Sequence, residues 1–269
     1  MNIDFKNKKI LVTGSSKGIG LAIAKAFLDN SAKVIFNSNN LRNLKLLKKE
    51  INNENMFIFK ANLLIDSEIK KLVEYTNKKL NGIDIVVCNY GDGRKIKDIG
   101  NETYNDWLTG LKKNLLSASS LINHSKKYLI KSNHSSIVCI SSICGLGSAN
   151  APLDYSASKA ALNSFVKNQS KILGKYNIRI NTISPGNIYS EDGRWPKKFI
   201  KNKNLKKSIL KNVPLKRFGT PSEIANAVIF LSSSHSSFTT GSNLVVDGGE
   251  SLWRFLKKIF FLLGQKILL

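Results

Sequence analysis

Residues 8–30 read KKILVTGSSKGIGLAIAKAFLDN. The short apolar run Ile10-Leu11-Val12 enters the turn Thr13-Gly14-Ser15-Ser16-Lys17-Gly18-Ile19-Gly20, and an amphipathic pattern follows from Ile19 to Asn30. A strand, a glycine-rich turn and a helix in that order make an anion site. Glycines let the backbone come close to a pyrophosphate, and the unpaired N–H groups at the helix start donate to it. The spacing is not G-x-G-x-x-G, so the turn alone leaves a ligand cradle and a structural bend both open.

The same alternation runs outward through the chain. Apolar runs at 8–14, 33–38, 56–62, 83–91, 135–142, 178–186 and 242–249 predict strands. Helical patterns lie between them at Ile19–Asn30, Leu41–Asn53, Asp66–Asn81, Glu102–Lys131, Tyr155–Lys175 and Ser222–Ser232. Short strands separated by helices predict βαβ crossovers, and nearly unbroken Val, Ile and Leu predicts a sheet covered on both faces. The expected fold is α/β: one doubly wound (Rossmann) domain over 1–249 with a mainly parallel seven-stranded sheet. Residues 187–217 carry ten Lys/Arg and two acidic residues between two strand–helix units, and 250–269 form a separate tail.

The 269 residues are long enough for one such core, and 42% hydrophobic with 22% charged residues excludes wholesale disorder. Forty-two Lys+Arg against eighteen Asp+Glu gives a formal charge of +24, which suits anionic partners or reflects a lysine-rich composition throughout. No nucleic-acid motif accompanies the charge, so no nucleic acid is expected. Cys88, Cys139 and Cys144 lack CxxC spacing and are odd in number; reduced thiols and no metal are expected. Ile10-Leu11-Val12 is too short for a signal-peptide core, and no run of about 18 apolar residues occurs, so a cytoplasmic location is expected.

Further residues supply chemistry. Tyr155 and Lys159 are four apart in Tyr155-Ser156-Ala157-Ser158-Lys159, which puts them on one helix face. A free phenol with pKa about 10 is a poor acid–base group at neutral pH, and a neighbouring ammonium favours its phenolate. Alone, such a pair reads equally as a solvated helix surface. Ser142 ends the fifth apolar run, at the edge where ligands bind open α/β sheets.

TGSSKGIG at 13–20, Asn89-Tyr90-Gly91, Asn114, Ser142, Tyr155-x-x-x-Lys159 and Ser184-Pro185-Gly186 occur in this order. Over residues 6–249 the set resembles the short-chain dehydrogenase/reductase family, in particular its 3-oxoacyl-carrier reductases. The resemblance implies NADP(H)- or NAD(H)-dependent interconversion of a carbonyl and a secondary alcohol. By its implication Tyr155 is the general acid–base, Ser142 holds the substrate oxygen, Lys159 holds the ribose and tunes Tyr155, and Asn114 orders a water leading to Lys159. Ser141 competes with Ser142, which the family's serine-to-tyrosine spacing favours.

The implied cofactor contacts are Gly14, Ser15, Ser16, Lys17, Gly18, Ile19, Gly20, Ser38, Asn39, Asn62, Leu63, Asn89, Gly91, Tyr155, Lys159, Pro185, Gly186 and Ile188. Phe36-Asn37-Ser38-Asn39-Asn40 ends the second strand without a carboxylate, and Ser38 stands at the family's acidic position. With Lys17 before Gly18 and Arg42 nearby, NADP(H) is preferred over NAD(H). Tyr90 replaces a small residue, Asn62-Leu63 replaces Asp-Val, and Ser190 stands for Thr beside the nicotinamide amide.

The 187–217 segment corresponds to the family's substrate lid, with Trp195 and Phe199 as apolar surface and Arg194, Lys197, Lys198 and Lys201 as charge. The expected substrate is a small carbonyl or alcohol, with a carrier-bound thioester as one candidate and Lys126, Lys127 and Lys131 as docking charges. Two alternatives remain: a non-catalytic nicotinamide-nucleotide sensor, and an NAD-dependent sugar or small-alcohol dehydrogenase. The family implies a homotetramer or homodimer. In the tail, Leu252, Leu256, Ile259, Leu263 and Ile267 share a helical face opposite Arg254, Lys257, Lys258 and Gln265, which suits a neighbouring subunit or an anionic membrane surface.

Overall fold

The computed structural model describes residues 3–93, 99–147, 151–193, 195–202 and 204–252. Seven parallel strands form one sheet in the order β3-β2-β1-β4-β5-β6-β7. They are β1 (Lys9–Val12), β2 (Lys33–Ser38), β3 (Met56–Lys60), β4 (Ile85–Cys88), β5 (Ser136–Ile140), β6 (Arg179–Pro185) and β7 (Asn243–Val246). The chain winds from β1 to the β3 edge, then crosses back to place β4 on the other side of β1. That reversal opens a crevice at the carboxyl ends of β1 and β4, where this architecture takes ligands.

Continuous apolar strands follow from two covered faces. Ile10, Val12, Ile85, Val87, Val138 and Ile140 enter one core with Ile23 and Phe27 of α1 (Gly18–Asp29), Leu44 of α2 (Leu41–Ile51) and Val228 of α9 (Pro221–Ser232). Their neighbours Leu11, Val86, Cys88, Ile137 and Cys139 enter the opposite core with Leu72 of α3 (Asp66–Leu80), Leu121 of α5 (Ser117–Leu129) and Leu162 of α6 (Leu153–Gly174). The period-two alternation thus buries both faces of the central strands, at about 1.5–3 kcal/mol for each large side chain, while the edge strands β3 and β7 stay partly exposed. Asn52 and Asn81 end α2 and α3 in the left-handed region, and Thr220 with Glu223 closes a capping box on α9 behind Pro221.

One expected helix is different. The run 102–131 divides into α4 (Tyr104–Leu111), a π-helical turn at Lys112–Leu116 and α5. Side-chain periodicity barely registers one inserted residue, so the sequence pattern reads straight through the turn. Two short helices lie in the 187–217 segment, α7 (Trp195–Lys201) and α8 (Leu205–Leu210). The tail reading for 253–269 falls outside the described residues. Among the described residues no helix is long and apolar enough to cross a membrane.

The turn after β1 is the tightest junction of the fold. Gly14 has φ +61°, and a Cβ on Gly20 would overlap the Gly14 carbonyl oxygen and the Asn89 amide. Gly20→Ala is expected to lower stability by about 1–3 kcal/mol through overpacking, read as a lower denaturation midpoint at unchanged m-value.

Candidate active site

The crevice is built on a polar lock between β1 and β4. Thr13 Oγ1 donates to Val87 O at 3.0 Å and accepts the N–H groups of Asn89 and Tyr90 at 3.1 and 3.2 Å. Asn89 Nδ2 donates to Thr13 O at 2.9 Å and Gly14 O at 3.1 Å. On the other side, Asn37 Nδ2 donates to Phe59 O at 3.2 Å while its Oδ1 accepts the Gly14 N–H at 3.3 Å. Asn37 and Thr13 are fully buried, so these bonds satisfy groups that would otherwise be stranded. Neither was among the expected site residues. An asparagine in KVIFNS directly after the apolar run Val34-Ile35-Phe36 is the signal that could have found Asn37.

The turn residues divide by direction. Ser15 is fully buried; its hydroxyl donates to Val12 O at 2.9 Å and accepts the Asn37 N–H at 2.9 Å. Its own N–H donates to Asn37 O at 2.9 Å, so Ser15 braces the turn from beneath. Ile19 packs its side chain on the α1 core and offers only backbone to the crevice. Ser16 and Lys17 face outward and line a cleft of about 250 Å³. Ser38 and Asn39 line it from the end of β2, Asn62 and Leu63 from the end of β3, and Asn89, Tyr90 and Gly91 from the end of β4. Ser16 Oγ donates to Ser38 Oγ at 3.2 Å, and among the described residues no carboxylate lines that end of the cleft. Arg42, in the first turn of α2, lies outside the lining. Asp92, farther along, pairs with Lys113 at 3.2 Å. Burial raises the Tyr90 phenol above its usual range, with Asp92 adding to the effect.

A second group of side chains gathers where β5 meets α6. Ser142 follows β5, and its Oγ accepts the Cys144 N–H at 3.1 Å, capping a 3-10 turn at Ile143–Gly145. That bond uses a lone pair and leaves the hydroxyl hydrogen available to donate. Ser141 instead donates to the Lys159 backbone carbonyl at 3.3 Å, a structural contact. A Cβ on Gly145 would lie 2.7 Å from Lys159 C, so this turn rests directly on α6.

Tyr155 lies in the first turn of α6, and Lys159 Nζ is 5.8 Å from its ring centroid. Lys159 is 3% exposed and donates to Ile140 O at 2.8 Å. Burial pulls its pKa down to about 8, against opposing contributions led by Cys139 and Asp92. Asn114 sits in the π-helical turn, its Nδ2 donating to Asp92 O and Gly110 O, both at 3.1 Å. Its Oδ1 is buried and accepts no hydrogen bond. A Cβ on Gly91 would lie 2.6 Å from that oxygen and 3.4 Å from Lys159 Nζ, so the glycine lets both polar atoms reach one small space. Glu102, also absent from the expected set, accepts the Leu153 N–H at 3.0 Å and so caps α6 in place of a local side chain.

The remaining expected residues follow β6. Pro185 closes that strand, and Gly186 packs so tightly on Asp247 that a Cβ would lie 2.7 Å from the Asp247 Cβ. Ile188 pairs with Gly219 in an isolated bridge. Trp195 and Phe199 stack at 5.7 Å and both meet Phe218 edge-on at 5.4 Å, which seats α7 against the base of its own segment. Arg194 lies outside the described residues, as does the Lys197 side chain.

Comparison with known proteins agrees with this geometry. A family model described as enoyl-(acyl carrier protein) reductase matches residues 14–251. The 3-oxoacyl-[acyl-carrier-protein] reductase FabG of Chlamydia pneumoniae is 35% identical over 256 residues, covering 93% of this chain and 99% of that protein. Nodulation protein G of Rhizobium sp. (strain N33) is 31% identical, over 93% of this chain and 99% of that protein. A 7α-hydroxysteroid dehydrogenase complexed with NADH and 7-oxo glycochenodeoxycholic acid superposes with a TM-score of 0.84 at 28% identity, covering 92% and 96% of the two chains. An NADPH-bound short-chain oxidoreductase of Pseudomonas aeruginosa PAO1, with an atypical catalytic center, gives a TM-score of 0.84 at 25% identity, covering 91% and 98%. With a parallel sheet in this order, a glycine cradle at its switch point and near-complete coverage by such relatives, the chain belongs to the short-chain dehydrogenase/reductase family.

Proposed function

We propose that this chain interconverts a carbonyl and a secondary alcohol with NADP(H), using Tyr155 as the acid–base group. The observation that carries the reading is the buried Lys159 ammonium beside the Tyr155 ring. The cleft fits the dinucleotide: a Cβ on Gly20 would overlap the Gly14 carbonyl oxygen, so the glycines keep the turn close against the start of α1, whose N–H groups suit a pyrophosphate. Ser16, Lys17, Ser38 and Asn39 would hold a 2′-phosphate, with no carboxylate beside them among the described lining residues to repel it. The ribose would take Lys159, and the nicotinamide end Pro185, Gly186 and Ile188. When bound, the reduced nicotinamide supplies hydride to the substrate carbon.

The chain's own residues handle the proton. Lys159 keeps its charge at neutral pH, and that charge stabilises the Tyr155 phenolate, so the phenol can give its proton to the substrate oxygen and recover it. Ser142 donates a hydrogen bond to the same oxygen as negative charge develops. The unpartnered Asn114 Oδ1 near Lys159 suits a water that returns protons to the lysine. Two hydroxyl donors suit a carbonyl oxygen better than a carbon–carbon double bond, which favours the 3-oxoacyl relatives over the enoyl description of the family model.

The proposed substrate is a 3-oxoacyl thioester on an acidic carrier, supported by the names of these relatives and the +24 charge. Of the expected docking lysines, Lys126 and Lys127 lie over the rings of Tyr176 and Tyr128 at 4.6 and 4.9 Å, which orders their ammonium groups. Homo-oligomerisation is also proposed, on the exposed apolar residues Leu116, Ile130, Ile172 and Phe238.

Nicotinamide fluorescence with 3-oxoacyl thioesters, ketoses and simple ketones, run with NADPH and NADH separately, tests this reading. Turnover of a ketone or thioester with NADPH is expected; binding without turnover of any of them would contradict it. Tyr155→Phe is expected to cut kcat by about 10²- to 10⁴-fold with NADPH affinity retained. The native Lys159 releases its proton near pH 8 and the unfolded chain near 10.5, so between those values the native state binds fewer protons and gains stability as pH rises. Relative to Lys159→Met, wild type is therefore expected to gain up to about 1.4 kcal/mol per pH unit in that window and nothing below it. Denaturant melts at pH 7 and pH 10 read the difference.

A further inference from the structure

The helix that carries the proposed pyrophosphate seat has no cap of its own. Lys17, at its N-cap, makes no side-chain capping bond, and the first turn of α1 holds no acidic residue. Its first N–H, on Gly18, instead donates at 3.0 Å to Asp192 Oδ2, a carboxylate 174 positions away. Asp192 belongs to the 187–217 segment, whose two acids, Glu191 and Asp192, stand among ten Lys and Arg. The base of that segment is pinned: Tyr189 N–H donates to Gly219 O at 2.8 Å, and Asn187 Nδ2 donates to Glu250 Oε2 at 2.7 Å. Its tip turns back through the Gly193 N–H to Ser190 O at 3.0 Å, and a Cβ on Gly193 would lie 2.6 Å from Ser190 Oγ. This tight turn sets Asp192 on the start of α1.

We infer that Asp192 is an internal competitor for the pyrophosphate seat and thereby sets cofactor affinity. The inference rests on the dinucleotide reading given above. Two anions do not share one helix N-terminus: a pyrophosphate on these donors displaces the carboxylate or meets its repulsion. Cofactor binding then frees the tip of the segment that carries α7 and α8, so seat and lid exchange one contact for the other. The Lys and Arg residues of the segment then remain to meet an anionic substrate.

Asp192→Asn keeps the shape and removes the charge. In the cofactor-free protein, the Gly18 amide resonance is expected to shift between wild type and Asp192→Asn while that of Gly174, on the far end of α6, does not. By fluorescence titration, Asp192→Asn is expected to bind NADPH about twofold to fivefold more tightly, the range of one charge at a helix N-terminus. Asp192→Ala is expected to show the same direction. An unmoved Gly18 amide would overturn the contact, and unchanged or weaker NADPH affinity with a moved amide would overturn the competition. A moved amide with no NADPH binding by any of the three proteins would overturn the dinucleotide reading and the competition with it, leaving Asp192 as a simple cap.

Discussion

The site depends on one buried ammonium. Lys159 is almost wholly out of water, held by a backbone carbonyl and set beside the Tyr155 ring. Burying a charge is unfavourable, and here the Ile140 carbonyl at the end of β5 accepts a hydrogen bond from the ammonium and offsets part of that penalty. Partial desolvation has a chemical use. A lysine brought down to about 8 is still charged at neutral pH, yet exchanges protons far more readily than a solvated one. The same low dielectric makes its field at Tyr155 stronger than it would be on a wet helix surface.

The rest of the architecture brings the two halves of the site to one place. The Thr13–Asn89 lock joins β1 to β4, Asn37 ties β2 and β3 to the same turn, and Gly20 lets α1 begin against that turn. Gly91 then carries the chain past Asn114 and Lys159 together. One polar seam therefore fixes the proposed nucleotide cleft on one side and the proposed acid–base group on the other. The π-helical turn belongs to the second half: it carries Asn114, which is buried there.

Much of this was legible in the sequence. Strand periodicity placed the sheet, the glycine turn marked the junction of β1 with α1, and the four-residue spacing put Tyr155 and Lys159 together on α6. What was not legible depends on partners far apart in sequence. Glu102 caps α6 from 51 positions away, and no local pattern announces it. Ser15 resembles its cleft-facing neighbour Ser16 in every respect that sequence records, and only the position of Asn37 turns it inward. The π-helical turn escaped because hydrophobic spacing tolerates one extra residue, and Asp192 because its helix partner lies at the opposite end of the chain.

The most direct test follows the Tyr155 phenol itself. The Cζ resonance of ¹³C-labelled tyrosine, assigned by its loss in Tyr155→Phe, is titrated with pH in the NADPH-bound protein. The account predicts that Tyr155 deprotonates below the ordinary phenol range in wild type and returns toward that range in Lys159→Met. Identical midpoints in the two proteins would mean that the buried ammonium does not act on the phenol, and the proposed chemistry would lose its basis.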